Sequence, residues 1–64
     1  MIASLTGILT TIGKSEIIIE VNGVGYLLNV TSKLISTLGE IGSTLSVFKD
    51  LQIKDDKILM YGFT

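Results

Sequence analysis

Glu16-Ile17-Ile18-Ile19-Glu20-Val21-Asn22-Gly23-Val24-Gly25-Tyr26-Leu27-Leu28-Asn29-Val30 is the stretch that decides the fold. Its first half is crowded with β-branched residues, which favour the pleated, half-buried environment of a strand. Asn22-Gly23 then supplies two residues that tolerate positive φ, the strongest short-range signal for a type I′ hairpin turn. Val24 to Val30 is the returning strand, with Tyr26, Leu28 and Val30 on one face by period-two alternation. Gly25 is a bulge candidate within it.

Working outward, Met1 to Ile12 reads as a first strand, with Gly7 inside it as a second candidate for a bulge or bend. Gly13-Lys14-Ser15 turns the chain into the hairpin. After it, Thr31 or Ser32 caps a short helix whose Leu34, Ile35 and Leu38 share one face. Gly39 is expected to close that helix in the left-handed region, and Gly42 resets the chain. Ser43 to Lys49 reads as a fourth strand. Asp50-Leu51-Gln52-Ile53-Lys54 alternates as a half-exposed strand, and Lys57 to Phe63 is the last one. Three strands, a short helix and further strands is the order of an OB-fold. The fold class is therefore all-β, a five- to six-stranded Greek-key barrel with its helix after strand three. An SH3-like or Sm-like barrel is the competing all-β reading, and the helix position favours OB.

A chain of 64 residues makes one domain, 1–64. Such a domain buries only roughly 60% of the surface its unfolded chain exposes. With 47% apolar residues there is more apolar surface than the barrel can hide, and the excess is expected at a subunit or domain interface. There is no Cys and no His, which removes disulfides, thiolate chemistry, zinc sites and Ser-His triads. No run of residues is long and apolar enough for a membrane span, and no signal-peptide pattern opens the chain; the expectation is a cytoplasmic location with no membrane partner. The five basic residues are all lysines and the net charge is −1. A strong nucleic-acid binder normally shows a clustered basic footprint, so tight DNA contacts are expected outside this segment.

The most distinctive chemistry is the doublet Asp55-Asp56, flanked by Lys54 and Lys57, at the tip of the last hairpin. Aspartates are ordinary in solvated turns because they bond their own backbone. Against that plain reading stands a tip that presents paired like charges on a stiff support. A metal or acid–base role is disfavoured: neighbours in a tight turn converge poorly on one ligand, and Glu16, Glu20, Glu40 and Asp50 are scattered. Lys54 and Lys57 read as charge balance across the strands, or as candidates to lie near phosphates. Gly23-Val24-Gly25 is a turn and not a dinucleotide fingerprint, since the full spacing and following helix are missing. Tyr26, Phe48, Tyr61 and Phe63 are candidates for base stacking, although their place in apolar strands makes the core the favoured expectation.

Three segments together resemble one family. They are Met1-Ile2 with Leu5 and Gly7; Ile19-Glu20-Val21-Asn22-Gly23-Val24-Gly25-Tyr26; and Lys54-Asp55-Asp56 followed by Leu59-Met60-Tyr61-Gly62-Phe63. The chain closely resembles, over essentially its whole length, the N-terminal domain of RuvA, the bacterial Holliday-junction-binding subunit of a branch-migration complex acting in recombination and DNA repair. The resemblance implies an OB-fold with no cofactor and no intrinsic catalysis. A helix-hairpin-helix domain that grips the DNA backbone, and a third domain that contacts the RuvB ATPase, would follow and are absent here. It implies a homotetramer in the full-length protein, with an acidic pin from each subunit at the crossover of the junction. By position the pin is Asp55 and Asp56. Relatives often carry Glu in the doublet, a basic residue before it, and basic residues near the N-terminus where this chain has Ser4 and Thr6. A generic single-strand-binding OB module and a purely structural self-association domain stay open as alternatives.

Overall fold

A computed structural model describes residues 2–64; Met1, with which the expected first strand and the family resemblance begin, lies outside the described residues. The chain forms β1 (Ile2–Ile12), β2 (Glu16–Val21), β3 (Val24–Asn29), α1 (Ser32–Ser36), β4 (Thr44–Lys54) and β5 (Lys57–Phe63). The strands close into a barrel in the order β1-β2-β3-β5-β4. This is the OB arrangement expected from the sequence, with five strands. The segments 43–49 and 50–54, separated in the sequence reading, are one continuous β4.

β1 works for two neighbours. Its first half pairs with β4, from Ile2↔Asp50 to Ile8↔Thr44, and its second half with β2, from Ile8↔Glu20 to Ile12↔Ile17. The strand must bend between them, and the irregularity that bends it lies between Leu9 and Thr11. Neither glycine proposed as a bulge is one. β2 and β3 run in unbroken register through Gly25. Gly7 serves close approach instead: a Cβ there would stand 2.8 Å from a γ-carbon of Ile19 and 2.8 Å from one of Val21. Only a residue without a side chain lets β2 pass so near.

Asn22 and Gly23 adopt φ of 51° and 82°, the double left-handed step of the type I′ turn that matches strand twist. The register of the β2–β3 hairpin follows from it, from Val21↔Val24 to Glu16↔Asn29. That register puts Ile17, Ile19 and Leu28 wholly inside, where they meet Leu9 from β1 and Val47 from β4. Each such side chain contributes about 1.5–3 kcal/mol by leaving water.

The helix is a plug at one end of the barrel. Thr31 is the N-cap: its side chain accepts a hydrogen bond from the Leu34 amide at 3.1 Å. Leu34 is buried, and Ile35 and Leu38 pack beside it. The C-terminal end differs from expectation. The helix stops at Ser36 with Thr37 as a right-handed cap, so Gly39 does not close it. The left-handed glycine of this connection is Gly42, φ 97°, in the turn that leads into β4. Among the described residues no helix is long and apolar enough to cross a membrane.

Candidate functional site at the hairpin tip

The β4–β5 hairpin outgrows the barrel. β4 leaves β1 after the Ile2↔Asp50 rung, and β5 meets β3 at the single parallel rung Asn29↔Tyr61. Past these points Leu51–Lys54 and Lys57–Leu59 pair only with each other, in unbroken register down to Lys54↔Lys57. At about 3.4 Å per residue, the tip stands roughly 15 Å beyond the last rung shared with β1. The segment from Leu51 to Ile58 is exposed throughout. The alternation that suggested a half-exposed strand is real, but nothing within the described residues covers its apolar side.

Asp55 and Asp56 are the two turn residues, exposed, with φ of 49° and 62°. They form the same type of turn as Asn22-Gly23 without its glycine. Among the described residues no ion pair engages either carboxylate or either flanking lysine. Lys54 and Lys57 do not balance the acids across the strands: they are Cα partners and face one another. Like charges placed so are mildly unfavourable. The tip is thus an unneutralised negative point with two positive charges one residue behind it.

Strand parity gives the arm two unlike faces. Gln52, Lys54, Lys57 and Leu59 lie on one, and Leu51, Ile53, Ile58 and Met60 on the other. Ile53 and Ile58 form a cross-strand pair at 75% and 68% exposure. These two positions were not singled out from the sequence, where their alternation looked like an ordinary core pattern.

The aromatic residues depart from the expected core placement. Tyr26 and Tyr61 are half-buried, while Phe48 and Phe63 are exposed and stacked on each other, 5.9 Å between ring centroids at 29°. The signal was present in the sequence: Phe48 is in phase with Thr44 and Ser46, whereas Leu45 and Val47 hold the inward positions. Among the described residues no cluster of three or more acidic side chains is poised to hold a metal ion.

The sequence matches a family model described as the RuvA N terminal domain over residues 1–62. It is 41% identical over 63 residues to the Holliday junction branch migration complex subunit RuvA of Erythrobacter litoralis (strain HTCC2594), covering 98% of this chain and 32% of that protein. The protein of the same name in Bartonella bacilliformis (strain ATCC 35685 / KC583 / Herrer 020/F12,63) is 40% identical over 63 residues, 98% of this chain and 29% of its own length. That of Chloroherpeton thalassium (strain ATCC 35110 / GB-78) is 38% identical over 63 residues, 98% and 32% of the two lengths. The chain spans about a third of the length of the curated relatives it matches. A five-stranded OB barrel, an acidic type I′ tip on its last hairpin and a match over nearly every residue lead to one conclusion: this chain belongs to the RuvA N-terminal domain family.

Proposed function

We propose that this domain is the junction-recognition and assembly module of a Holliday-junction branch-migration subunit, and that Asp55 and Asp56 form a pin that parts DNA strands at the crossover. The observation that carries this reading is the isolation of the doublet. It stands at the end of a projecting two-stranded arm, exposed and without an ion-pair partner among the described residues. A carboxylate about 4 Å from a phosphate costs ~1 kcal/mol in water and ~4 kcal/mol at an effective dielectric of ~20. One base-pair step of stacking is worth ~1.4 kcal/mol. A ring of such doublets in a tetramer therefore competes with stacking at the crossover and directs strands outward.

The pin opposes binding. Affinity comes from backbone contacts made by a second domain outside this segment, and ATP hydrolysis belongs to a RuvB motor engaged through a third. The domain itself holds no cofactor and performs no catalysis. Its net charge of −1 suits this division of labour, since its part is to shape DNA. Lys54 and Lys57, set one residue behind the carboxylates, are placed to meet the phosphates of strands that have already been parted. The exposed apolar side of the arm, with Ile53 and Ile58, is available for assembly of the tetramer around its centre.

The test is the double substitution Asp55→Asn, Asp56→Asn in the full-length protein. Both side chains keep their size and their tolerance of left-handed backbone while the charge is lost. We expect an unchanged fold, tighter binding of linear duplex relative to four-way junction, and an altered branch-migration rate. A double variant with wild-type junction selectivity and rate from low to high salt would exclude the pin.

A further inference from the structure

The outward face of the β1–β4–β5 sheet is unlike the rest of the surface. Pairing registers place Phe48 beside Ser4 on one side and Phe63 on the other, with Ser46 and Thr6 forming the next row. Those two hydroxyls share a hydrogen bond. Phe48 and Phe63 are 52% and 38% exposed, yet their rings are stacked and held in place. A depression of about 200 Å³ opens there, lined by Ser4, Ser46, Val47, Phe48 and Thr64. No lysine lines it. A face built of stacked aromatics and hydroxyls without a cation is poorly suited to a phosphate backbone, which is bound through Lys and Arg. It is well suited to protein: aromatic residues supply much of the energy of buried interface centres.

We infer that this face is the docking surface for the polypeptide that follows Thr64 in the full-length subunit. The inference rests on family membership and not on the pin. The matched family is an N-terminal domain, and the relatives are about three times as long as this chain, so their remaining length lies on the C-terminal side. The chain leaves β5 immediately beside the stacked rings, and Thr64 already forms part of the depression's wall. A short segment continuing from Thr64 reaches Phe48 without crossing the barrel. Its occupant residues are expected to be apolar, seated on Phe48 and Phe63, with polar neighbours meeting Ser4 and Ser46.

The chain contains no cysteine, so single thiols report directly on cover. Ser4→Cys and, separately, Ser46→Cys are made in the 64-residue chain and in a chain extended beyond Thr64 by the C-terminal remainder of the Erythrobacter litoralis relative, with any cysteines in that remainder changed to Ser. Thr11→Cys, exposed on the far half of β1, is the control. Labelling by a soluble disulfide reagent is expected to slow by about tenfold or more at positions 4 and 46 in the extended chain, as burial limits access to opening events. The control should react equally in both. Equal rates at all three positions overturn the inference. So does slow labelling in the 64-residue chain that sediments as a dimer, which assigns the face to a second copy. Protection of the 64-residue chain by a single-stranded oligonucleotide overturns it too, in favour of base stacking.

Discussion

Asp55 and Asp56 occupy two consecutive left-handed backbone positions, φ 49° and 62°, in the geometry that the other β-hairpin entrusts to Asn22 and Gly23. A non-glycine residue there costs about 1 kcal/mol or more from contact between Cβ and the carbonyl oxygen. Asp meets that cost better than most residues, because its short polar side chain bonds locally, but not as well as glycine. The tip therefore gives up some stability to keep two charges. Asp56→Gly should raise stability by about 1 kcal/mol, read as a higher urea midpoint at unchanged slope. A lower midpoint would mean that the Asp56 side chain supports the turn. In the full-length protein the same variant should lose part of any pin effect while being more stable, which separates charge from folding.

Behind the tip, Lys54 faces Lys57. Turning one of them into an acid replaces a like-charge pair with an attractive one. Lys57→Glu should stabilise the hairpin by a few tenths of a kcal/mol, within the range for exposed cross-strand pairs. The gain should shrink as salt rises toward about 1 M, where screening acts over ~3 Å. If the lysines meet parted strands, the same substitution weakens junction binding. A variant that is less stable at low salt would show that the lysine pair is held apart by something other than charge.

Much of the barrel was legible because its instructions are local. The β-branched run, Asn22-Gly23 and the alternation of Tyr26, Leu28 and Val30 fix one hairpin, and its register places Ile17, Ile19 and Leu28 inside. The order of strands and helix then leaves few topologies. What escaped the sequence depends on distant partners. Gly7 looks like a bulge until β2 is seen passing over it, and Gly39 was a reasonable helix stop before Gly42 was seen to take the left-handed position. The candidate site divides in the same way. Asp55-Asp56 at a hairpin tip could be read directly, since turn chemistry is local. The exposure of Ile53, Ile58, Phe48 and Phe63 could not be read from apolar content alone, because it depends on where the barrel ends.

The crossing at Gly7 can be tested directly. Gly7→Ala adds one methyl where two γ-carbons and the Glu20 backbone already stand. Strand backbone cannot give way on both sides, so overpacking of about 2–3 kcal/mol is expected. Chemical denaturation would show it. The same substitution at Gly25, where a Cβ would meet only an Ile18 methyl at 3.2 Å, should cost distinctly less. Equal losses at the two positions would refute the close-approach reading of Gly7.

The barrel closes through a thin seam. β3 and β5 share one rung, Asn29↔Tyr61, and beside it the Asn29 side-chain amide donates to the Met60 carbonyl at 3.2 Å. That bond joins the base of the projecting arm to the β2–β3 hairpin, whose position is fixed by the core. Asn29→Ala leaves the Met60 carbonyl without this donor and should cost about 1 kcal/mol. The loss should be local as well as global. Amide exchange along β5 should speed up more than exchange at Ile17 and Ile19, because the seam opens without unfolding the core. The arm would then swing more freely, so a charge-bearing tip that works by position should lose junction selectivity in the full-length protein even with Asp55 and Asp56 intact. Uniform acceleration of exchange across β2 and β5 would show instead that the seam and the core open as one unit, and that Asn29 has no separate hold on the arm.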